Sequence, residues 1–224
     1  MTPKAVLFDL DGTLVDSLPT IALGLQDALA LLGLPGVTEE QVGHWIGEGT
    51  PVLTLKAATA VGAPERADEL FAQFFPSYMP HIPGTPEIAG ATALLENLAS
   101  QGILCALVTN KPRAFTEPLL AALHWNRWLP VVICGDDLDE RKPHPLPILE
   151  ACARLGVSVS DSVMVGDSRH DVGAARAAGM SVVALAGGYN HGEEITGADF
   201  HGNTLAECGD WVLRNAKQFS KVSA

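Results

Sequence analysis

Two aspartates separated by one residue, Asp9 and Asp11, follow the apolar run at residues 5–8. Side chains alternate along an extended strand, so these two carboxylates leave the same side of the backbone. Gly12 comes directly after them and allows the chain to turn sharply. Such a pair suits covalent catalysis, in which one carboxylate attacks an electrophile and its neighbour transfers the proton. A hard cation such as Mg²⁺ would offset the repulsion between the two groups.

The same string of residues also occurs in turns and in calcium-binding loops. A calcium loop carries an acidic residue at its twelfth position. Counted from Asp9, that position is Thr20. Calcium loops of this type also follow a helix, whereas a strand-like apolar run precedes Asp9. The catalytic interpretation is therefore favoured.

Further polar groups follow three later apolar runs. The carboxyl ends of parallel strands meet at one edge of a sheet, where open α/β sheets bind ligands. We therefore expect a hydroxyl, an amide, an ammonium and more carboxylates to converge there, which suits a phosphoryl group and its metal ion. The groups are Thr109 and Asn110 after residues 103–108, Lys142 after residues 131–134, and Asp167 and Asp171 after residues 162–165.

With these segments in this order, the chain resembles the haloacid dehalogenase (HAD) superfamily of phosphohydrolases. Each motif alone is a weak indication, but four in order, each after a strand-like run, are specific. The resemblance covers nearly the whole chain. The motifs are Asp9–Thr13, Thr109, Lys142 and Gly166–Asp171.

The resemblance implies a role for each residue in the transfer of a phosphoryl group. Asp9 would be the nucleophile that becomes phosphorylated, and Asp11 the acid for the leaving group and then the base for water. Thr109 and Asn110 would donate hydrogen bonds to phosphate oxygens. Lys142 would neutralise the phosphate and Asp9 as a point charge.

The resemblance also implies a Mg²⁺ cofactor. The Asp9 carboxylate, the Asp11 main-chain carbonyl and the Asp167 carboxylate would bind the metal, and Asp171 would orient a metal-bound water. The neighbouring His170 is expected at the surface rather than at the metal. Superfamily members that remove halogens lack an acid at the position of Asp11, so dehalogenation is not expected.

The second half of the chain predicts an α/β fold. Helix-like and strand-like segments alternate there, which indicates a Rossmann-like parallel sheet with helices on both faces. Glycines at 102, 156 and 179 follow three of the predicted helices, as C-terminal caps do. The predicted helices span residues 87–100, 113–123, 145–155 and 171–178, and the strands residues 103–108, 131–134, 162–166 and 181–185.

Residues 17–82 carry helical patterns without strand patterns, which predicts an inserted all-helical domain. We expect helices over 17–32, from Thr38, over 51–61 and over 65–78, with Ser17 as an N-cap and a capping box from Thr38 to Gln41. The predicted core domain is then residues 1–16 and 83–224. In the superfamily such an insert is a cap that closes over the phosphate pocket.

Two loops resemble those of bacterial phosphoglycolate phosphatases: residues 45–49 within the predicted cap and residues 188–193 after the last predicted strand. This resemblance implies a small phosphorylated metabolite as substrate, with 2-phosphoglycolate first, and contacts from Gly47 and Lys56. The chain departs from that group at Glu48, where a neutral amide is common, and at Lys56, where arginine is common. Lysine cannot make the bidentate contact that arginine makes with a carboxylate.

Two other functions remain open at this point. A sugar phosphomutase of the β-phosphoglucomutase type shares the cap and the motifs, but requires a phosphorylated Asp9 protected from water. A catalytically silent binding module on the same fold would have lost residues such as Asp9, Asp11 or Lys142, and all are present.

The composition of the chain limits the classes of molecule that we expect it to bind. The 224 residues are 47% apolar and carry a formal net charge of −12, which argues against binding to nucleic acid or anionic membranes. The four cysteines show no metal or disulfide spacing, so we expect reduced core residues. Residues 1–4 lead directly into the first predicted strand, so we expect no secretory leader. We therefore expect a cytoplasmic enzyme, monomeric or homodimeric.

Overall fold

The computed structural model describes residues 2–190 and 194–214, and it contains one parallel sheet. Its central strand is fully buried on both faces, which explains the unbroken apolar run in the sequence. The strands are β1 (Ala5–Phe8), β2 (Leu104–Val108), β3 (Val131–Ile133), β4 (Ser162–Gly166), β5 (Ser181–Leu185) and β6 (Phe200–Gly202).

The strand order is β3-β2-β1-β4-β5-β6, and every neighbouring pair is parallel. Ala5 of β1 lies opposite Leu104 of β2 and Ser162 of β4. The chain winds outward in one direction from β1 to β3 and in the other from β4 to β6. A crevice opens beyond the carboxyl ends of β1 and β4, where the winding reverses.

Helices cover both faces of the sheet, which confirms the predicted fold class. Leu95 packs on one face with Val6 and Phe8, while Ile148 packs on the other with Leu7. The helices that follow residue 87 are α5 (Ala91–Ser100), α6 (Arg113–Ala122), α7 (Leu146–Leu155), α8 (Arg169–Ala178) and α9 (Leu205–Arg214).

Between β1 and α5 the chain forms helices and no strand, as predicted for residues 17–82. The predicted capping box is present: the Gln41 N–H donates to Thr38 Oγ1 at 3.2 Å, and the Thr38 N–H donates to Gln41 Oε1 at 2.8 Å. Ser17 occupies the N-cap position of the first helix, but its hydroxyl makes no capping bond. These helices are α1 (Leu18–Leu31), α2 (Glu39–Gly43), α3 (Thr50–Ala60) and α4 (Ala67–Tyr78).

Several predicted boundaries were wrong, and each has a local cause. The helix predicted over 87–100 begins only at Ala91, because Glu87 forms a β-bridge with Val15. The helix predicted over 171–178 begins at Arg169, because Ser168 caps it. The strand β6 was not predicted, since a three-residue strand is too short to show alternation. The helix α9 was not predicted either.

Two compositional expectations can be compared with the structure. All four cysteines are buried and unpaired, as expected for reduced core residues. No helix in the described ranges is both long and apolar enough to cross a membrane. Part of the loop 188–193 and the polar end from residue 215 lie outside the described residues.

Candidate active site

Most of the predicted site residues meet in one cavity at the carboxyl edge of the sheet. Asp9 follows β1, Thr109 follows β2 and Asp167 follows β4, while Lys142 reaches in from the loop after β3. Asp171 lies immediately behind them and is fully buried. The predicted residues that line the cavity are Asp9, Asp11, Gly47, Thr109, Asn110, Lys142 and Asp167.

Lys142 is buried and makes three close contacts. Its Nζ lies 2.8 Å from Asp9 Oδ1 and 2.6 Å from Asp171 Oδ1, and it donates to the Val108 carbonyl at 2.6 Å. Burial alone would lower the pKa of Lys142, but the Asp171 and Asp9 carboxylates outweigh it and raise the pKa. Lys142 is therefore a permanent ammonium, with all three of its donors engaged.

Three carboxylates form a compact acidic cluster. Asp9, Asp167 and Asp171 each place an oxygen within 4.8 Å of the others. Burial, reinforced by Asp171, raises the pKa of Asp9 to about 7 despite the opposing effect of Lys142. Burial, then Asp9 and Asp171, also raise the pKa of Asp167 well above its usual range. The cluster is short of positive charge, and its hard oxygen donors fit a cation such as Mg²⁺.

Hydrogen bonds fix the Asp167 carboxylate, and two glycines lie close against it. Thr13 Oγ1 donates to one carboxylate oxygen at 2.8 Å, and the Tyr189 N–H donates to the other at 2.6 Å. A Cβ at Gly12 or at Gly188 would overlap the Asp167 carboxylate. Glycine at both positions therefore allows the loops after β1 and β5 to close around this group.

Both oxygens of Asp171 are engaged by the protein. Oδ1 contacts Lys142, while Oδ2 accepts hydrogen bonds from the Ser168 N–H at 3.1 Å and from Ser168 Oγ at 2.7 Å. Asp171 is thus the third residue of a capping box rather than the N-cap of α8. This arrangement is compatible with the prediction that Asp171 acts beside the metal instead of binding it through both oxygens.

Asp11 has a buried partner that the sequence analysis missed. Lys111 Nζ donates to Asp11 Oδ1 at 3.0 Å and to the Tyr78 hydroxyl at 3.0 Å. Burial would lower the pKa of Lys111, but Asp11 and Tyr78 outweigh it and raise the pKa. The indication was available, because Lys111 directly follows Thr109 and Asn110 at the end of the same strand.

The side chain of Asn110 does not present its amide to the cavity as predicted. Its Nδ2 donates to the carbonyls of Gly47 and Lys142, both at 3.0 Å, and its Oδ1 accepts from the Lys142 N–H at 3.0 Å. Both N–H donors of the amide are thus used within the protein. Asn110 instead fixes the Lys142 loop and joins it to the helical segment.

Thr109, unlike Asn110, keeps a side-chain donor for the predicted contact with a ligand. It is buried, and its Oγ1 accepts a hydrogen bond from the Lys111 N–H at 3.1 Å. The hydroxyl hydrogen of Thr109 has no acceptor among residues 2–190 and 194–214 and can therefore donate to a ligand oxygen.

Two expectations about the rim of the cavity differ from the structure. Lys56 does not line the cavity, and its Nζ lies 3.0 Å from Glu48 Oε1 in an ion pair about one-third exposed. His170 is half-buried and lines the cavity rather than lying at the surface, and burial lowers its pKa. Of the two predicted cap contacts, only Gly47 reaches the cavity.

Tyr189 is a second residue whose position was not predicted. Its hydroxyl donates to Asp16 Oδ1 at 2.5 Å and accepts from the Leu18 N–H at 2.8 Å. Its own N–H binds Asp167. One residue therefore connects the acidic cluster to the start of α1.

Residues 6–185 match the family of haloacid dehalogenase-like hydrolases. The chain belongs to this family. It is 40% identical to the phosphoglycolate phosphatase of Escherichia coli K12 over 213 residues, covering 86% of this chain and 84% of that one. It is also 40% identical to the enzyme of the same name from Pseudomonas syringae pv. tomato over 198 residues, covering 86% and 73%.

Solved structures agree with this assignment. A crystal structure of a predicted phosphoglycolate phosphatase from Haemophilus somnus 129PT matches with a TM-score of 0.84 and 33% identity, covering 93% of this chain and 97% of that one. CbbY from Rhodobacter sphaeroides, solved with phosphate, has a TM-score of 0.80 at 24% identity over 92% and 96% of the two chains, which shows the shared fold alone. The predicted family is thus confirmed: the chain is a hydrolase of the HAD type, similar to phosphatases.

Proposed function

We propose that this protein is a Mg²⁺-dependent phosphatase that hydrolyses a small phosphorylated metabolite through a phosphorylated Asp9, with 2-phosphoglycolate as the first substrate to test. One observation carries the proposal: Asp9, Asp11 and Lys142 line one cavity, with Asp167 beside them. A buried nucleophile, a second carboxylate and an ammonium are the groups that phosphoryl transfer requires.

In the first half of the reaction, an Asp9 oxygen attacks phosphorus and the bond to the leaving oxygen breaks. Asp11 gives its proton to that oxygen, which departs as an alcohol. In the second half, water attacks the phosphorylated Asp9, Asp11 takes the proton from that water, and inorganic phosphate leaves with Asp9 restored. Thr109 would donate a hydrogen bond to a phosphate oxygen in both steps, and Lys142 would neutralise the phosphate and Asp9 as a point charge.

The acidic cluster is the proposed metal site. The carboxylates of Asp9 and Asp167, with the main-chain carbonyl of Asp11, would hold Mg²⁺, and Asp171 would remain bound to Lys142. When bound, the cation neutralises negative charge on the phosphate and on the nucleophile. The raised pKa values of Asp9 and Asp167 support this proposal, because they reflect carboxylates without enough positive charge nearby.

The size of the cavity and its cover support a small substrate. The cavity volume is about 60 Å³, which is room for only a few water molecules. Residues 17–82 would act as the cap over it, and Gly47 contributes to the wall. The relatives named phosphoglycolate phosphatase lead us to begin with 2-phosphoglycolate.

The experiment is a phosphate-release screen over a metabolite panel, with Mg²⁺ and with chelator. We expect release of inorganic phosphate from 2-phosphoglycolate and its loss on chelation. A phosphomutase would instead move phosphate between positions of a sugar phosphate without releasing it. Full activity in chelated protein, or no release from any phosphate ester, would refute the proposed function.

A further inference from the structure

The cavity contains two buried lysines that differ in how many carboxylates their ammonium groups contact. Lys142 engages three acceptors: Asp9, Asp171 and the Val108 carbonyl. Lys111 has one carboxylate, Asp11, whose two oxygens lie 3.0 and 3.4 Å from its Nζ, and the Tyr78 hydroxyl at 3.0 Å. Among the described residues, Lys142 thus contacts two carboxylates and Lys111 contacts one.

The ammonium of Lys111 forms part of the cavity wall, where a ligand can reach it. Only 4% of the Lys111 side chain is exposed, so bulk water does not surround it. A hydrogen bond from an ammonium to an anion is stronger in such a place than in water. The group is therefore suited to binding an anion that enters with the substrate.

The position of Lys111 indicates which part of the substrate it meets. Its Nζ lies 3.0 Å from Asp11 Oδ1, and Asp11 is the group that would protonate the leaving oxygen. Lys142, on the other hand, is bound to the nucleophile Asp9 and serves the phosphoryl group. Lys111 therefore faces the atoms that depart, not the atoms that are transferred.

We infer that Lys111, assisted by the Tyr78 hydroxyl, binds a carboxylate on the leaving group and so selects phosphate esters of short hydroxy acids. This inference rests on the proposed phosphatase function and specifies its substrate class. In such an ester the carboxylate lies only two bonds from the leaving oxygen, so one ammonium can reach it while still bonded to Asp11.

The surroundings of Lys111 favour a compact anion over a large polar group. Tyr78 comes from α4, and its ring stacks on Phe74 and meets Phe115 edge to face. Lys111 Nζ also lies 5.0 Å from the centroid of the Tyr78 ring. Of these three aromatic side chains only Tyr78 carries a hydrogen-bonding group, so a polyol leaving group packed against them would lose hydration with little replacement.

The test compares two substrates that differ in charge but hardly in shape: 2-phosphoglycolate and its neutral amide, 2-phosphoglycolamide. The Mg²⁺-loaded parent should favour the carboxylate at least about tenfold in kcat/KM, the size of one charged hydrogen bond. Lys111→Met should bring the ratio to within about threefold of one, whereas Lys111→Arg, which keeps the charge, should retain a preference. Two control variants lose a lysine outside the cavity, Lys4→Met and Lys56→Met, and both should keep the parent's ratio.

The outcomes separate the two proposals. A parent that hydrolyses both esters equally, or a Lys111→Met variant with the parent's ratio, would overturn the inference and leave the phosphatase function standing. A parent that hydrolyses no phosphate ester would overturn the proposed function itself. If Lys111→Met is too slow to assay, binding of the two esters is compared in Asp9→Asn with and without Lys111→Met. Equal selectivity in those two proteins would again overturn the inference.

Discussion

The edge of the sheet and the loop between α2 and α3 both contribute to one cavity, yet they differ in how their polar groups are arranged. At the sheet edge, Asp9, Lys142 and Asp167 are buried and held by short contacts. Glu48 in the loop and Lys56 in α3 are about one-third exposed and pair with each other outside the cavity.

This difference indicates that the reacting groups lie at the sheet edge and that the loop mainly covers them. Strand ends are fixed by the sheet, so side chains that leave them converge whatever the rest of the chain does. The loop contributes Trp45, Ile46, Gly47 and Gly49 to the cavity wall, and the Gly47 carbonyl accepts from Asn110. We therefore expect changes at the sheet edge to remove turnover and changes in the loop to adjust it.

The largest effect is expected for Asp9→Asn. The amide keeps the shape but cannot attack phosphorus, so kcat should fall at least about 10³-fold. The variant should fold, since the substitution removes a charge from a repelling cluster. Phosphate release, checked in protein shown by mass spectrometry to be free of deamidation, measures the loss. Turnover within tenfold of the parent would disprove the covalent mechanism.

Lys142→Met should weaken both activity and stability. Removal of the ammonium leaves Asp9 and Asp171 buried without their partner, which costs about 3–5 kcal/mol in the free energy of unfolding. The loss of phosphate neutralisation should lower kcat/KM by about 10²-fold or more. Urea unfolding in chelator and steady-state kinetics measure the two effects.

The control for that variant is Lys4→Met, which removes an exposed lysine paired with Asp161. Its unfolding free energy should stay within about 0.5 kcal/mol of the parent. If both variants changed stability equally, Lys142 would have no special part in the buried cluster.

The sequence predicted the sheet edge because each motif follows an apolar run that could only be a buried strand. It could not predict contacts that depend on how distant segments meet. Asn110 was assigned to phosphate, but its amide is used by Gly47 and by the main chain of Lys142. The place of Lys111 directly after Asn110 indicated the sheet edge, but its contact with Tyr78 could not be predicted, because Tyr78 belongs to α4, far away in the chain.

The same limit explains the errors in the helical segment. Ser17 stands at the N-cap as predicted, yet its hydroxyl is buried without a partner among the described residues. Lys56 has the right charge for a substrate carboxylate, but Glu48 on the preceding loop binds it instead. Local patterns fix where an element begins, whereas the direction of a side chain depends on packing that short-range spacing does not encode.

Metal binding should depend on pH in a direction set by Asp9. Burial raises the pKa of Asp9 to about 7, and its proton must leave before the carboxylate binds a cation. The apparent affinity for Mg²⁺ should therefore rise by at least about tenfold per pH unit below pH 7. Calorimetric titration between pH 5 and 8 measures this dependence.

The stability of the metal-free protein should change in the opposite direction. The unfolded chain loses the Asp9 proton near the ordinary value of 3.8, whereas the folded chain keeps it until about 7. The free energy of unfolding should thus fall as pH rises across that interval, and the raised pKa of Asp167 adds to the same trend. Stabilisation by Mg²⁺ that is equal at pH 5 and pH 8 would contradict this account.

Tyr189→Phe should have a smaller effect that does not depend on the substrate. The substitution removes the hydroxyl that bridges Asp16 and the Leu18 N–H, at a cost of about 1 kcal/mol in the free energy of unfolding. The main-chain bond from Tyr189 to Asp167 remains, so the Mg²⁺ requirement should be unchanged. Thermal unfolding and a Mg²⁺ titration of kcat/KM test both statements; a requirement raised more than about tenfold would place the hydroxyl in the metal site.

The smallest effect is expected for the ion pair between the loop and α3. The pair between Lys56 and Glu48 is about one-third exposed, so solvent weakens it, and its coupling energy should be below about 1 kcal/mol. A double-mutant cycle with Lys56→Ala and Glu48→Gln measures that energy through unfolding.

In the same variants, kcat/KM for 2-phosphoglycolate and for an aryl phosphate should change in parallel, because neither side chain lines the cavity. A selective loss of about tenfold for the carboxylate substrate would mean that Lys56 exchanges Glu48 for substrate. Recognition of the leaving group would then belong to the loop rather than to Lys111 at the sheet edge.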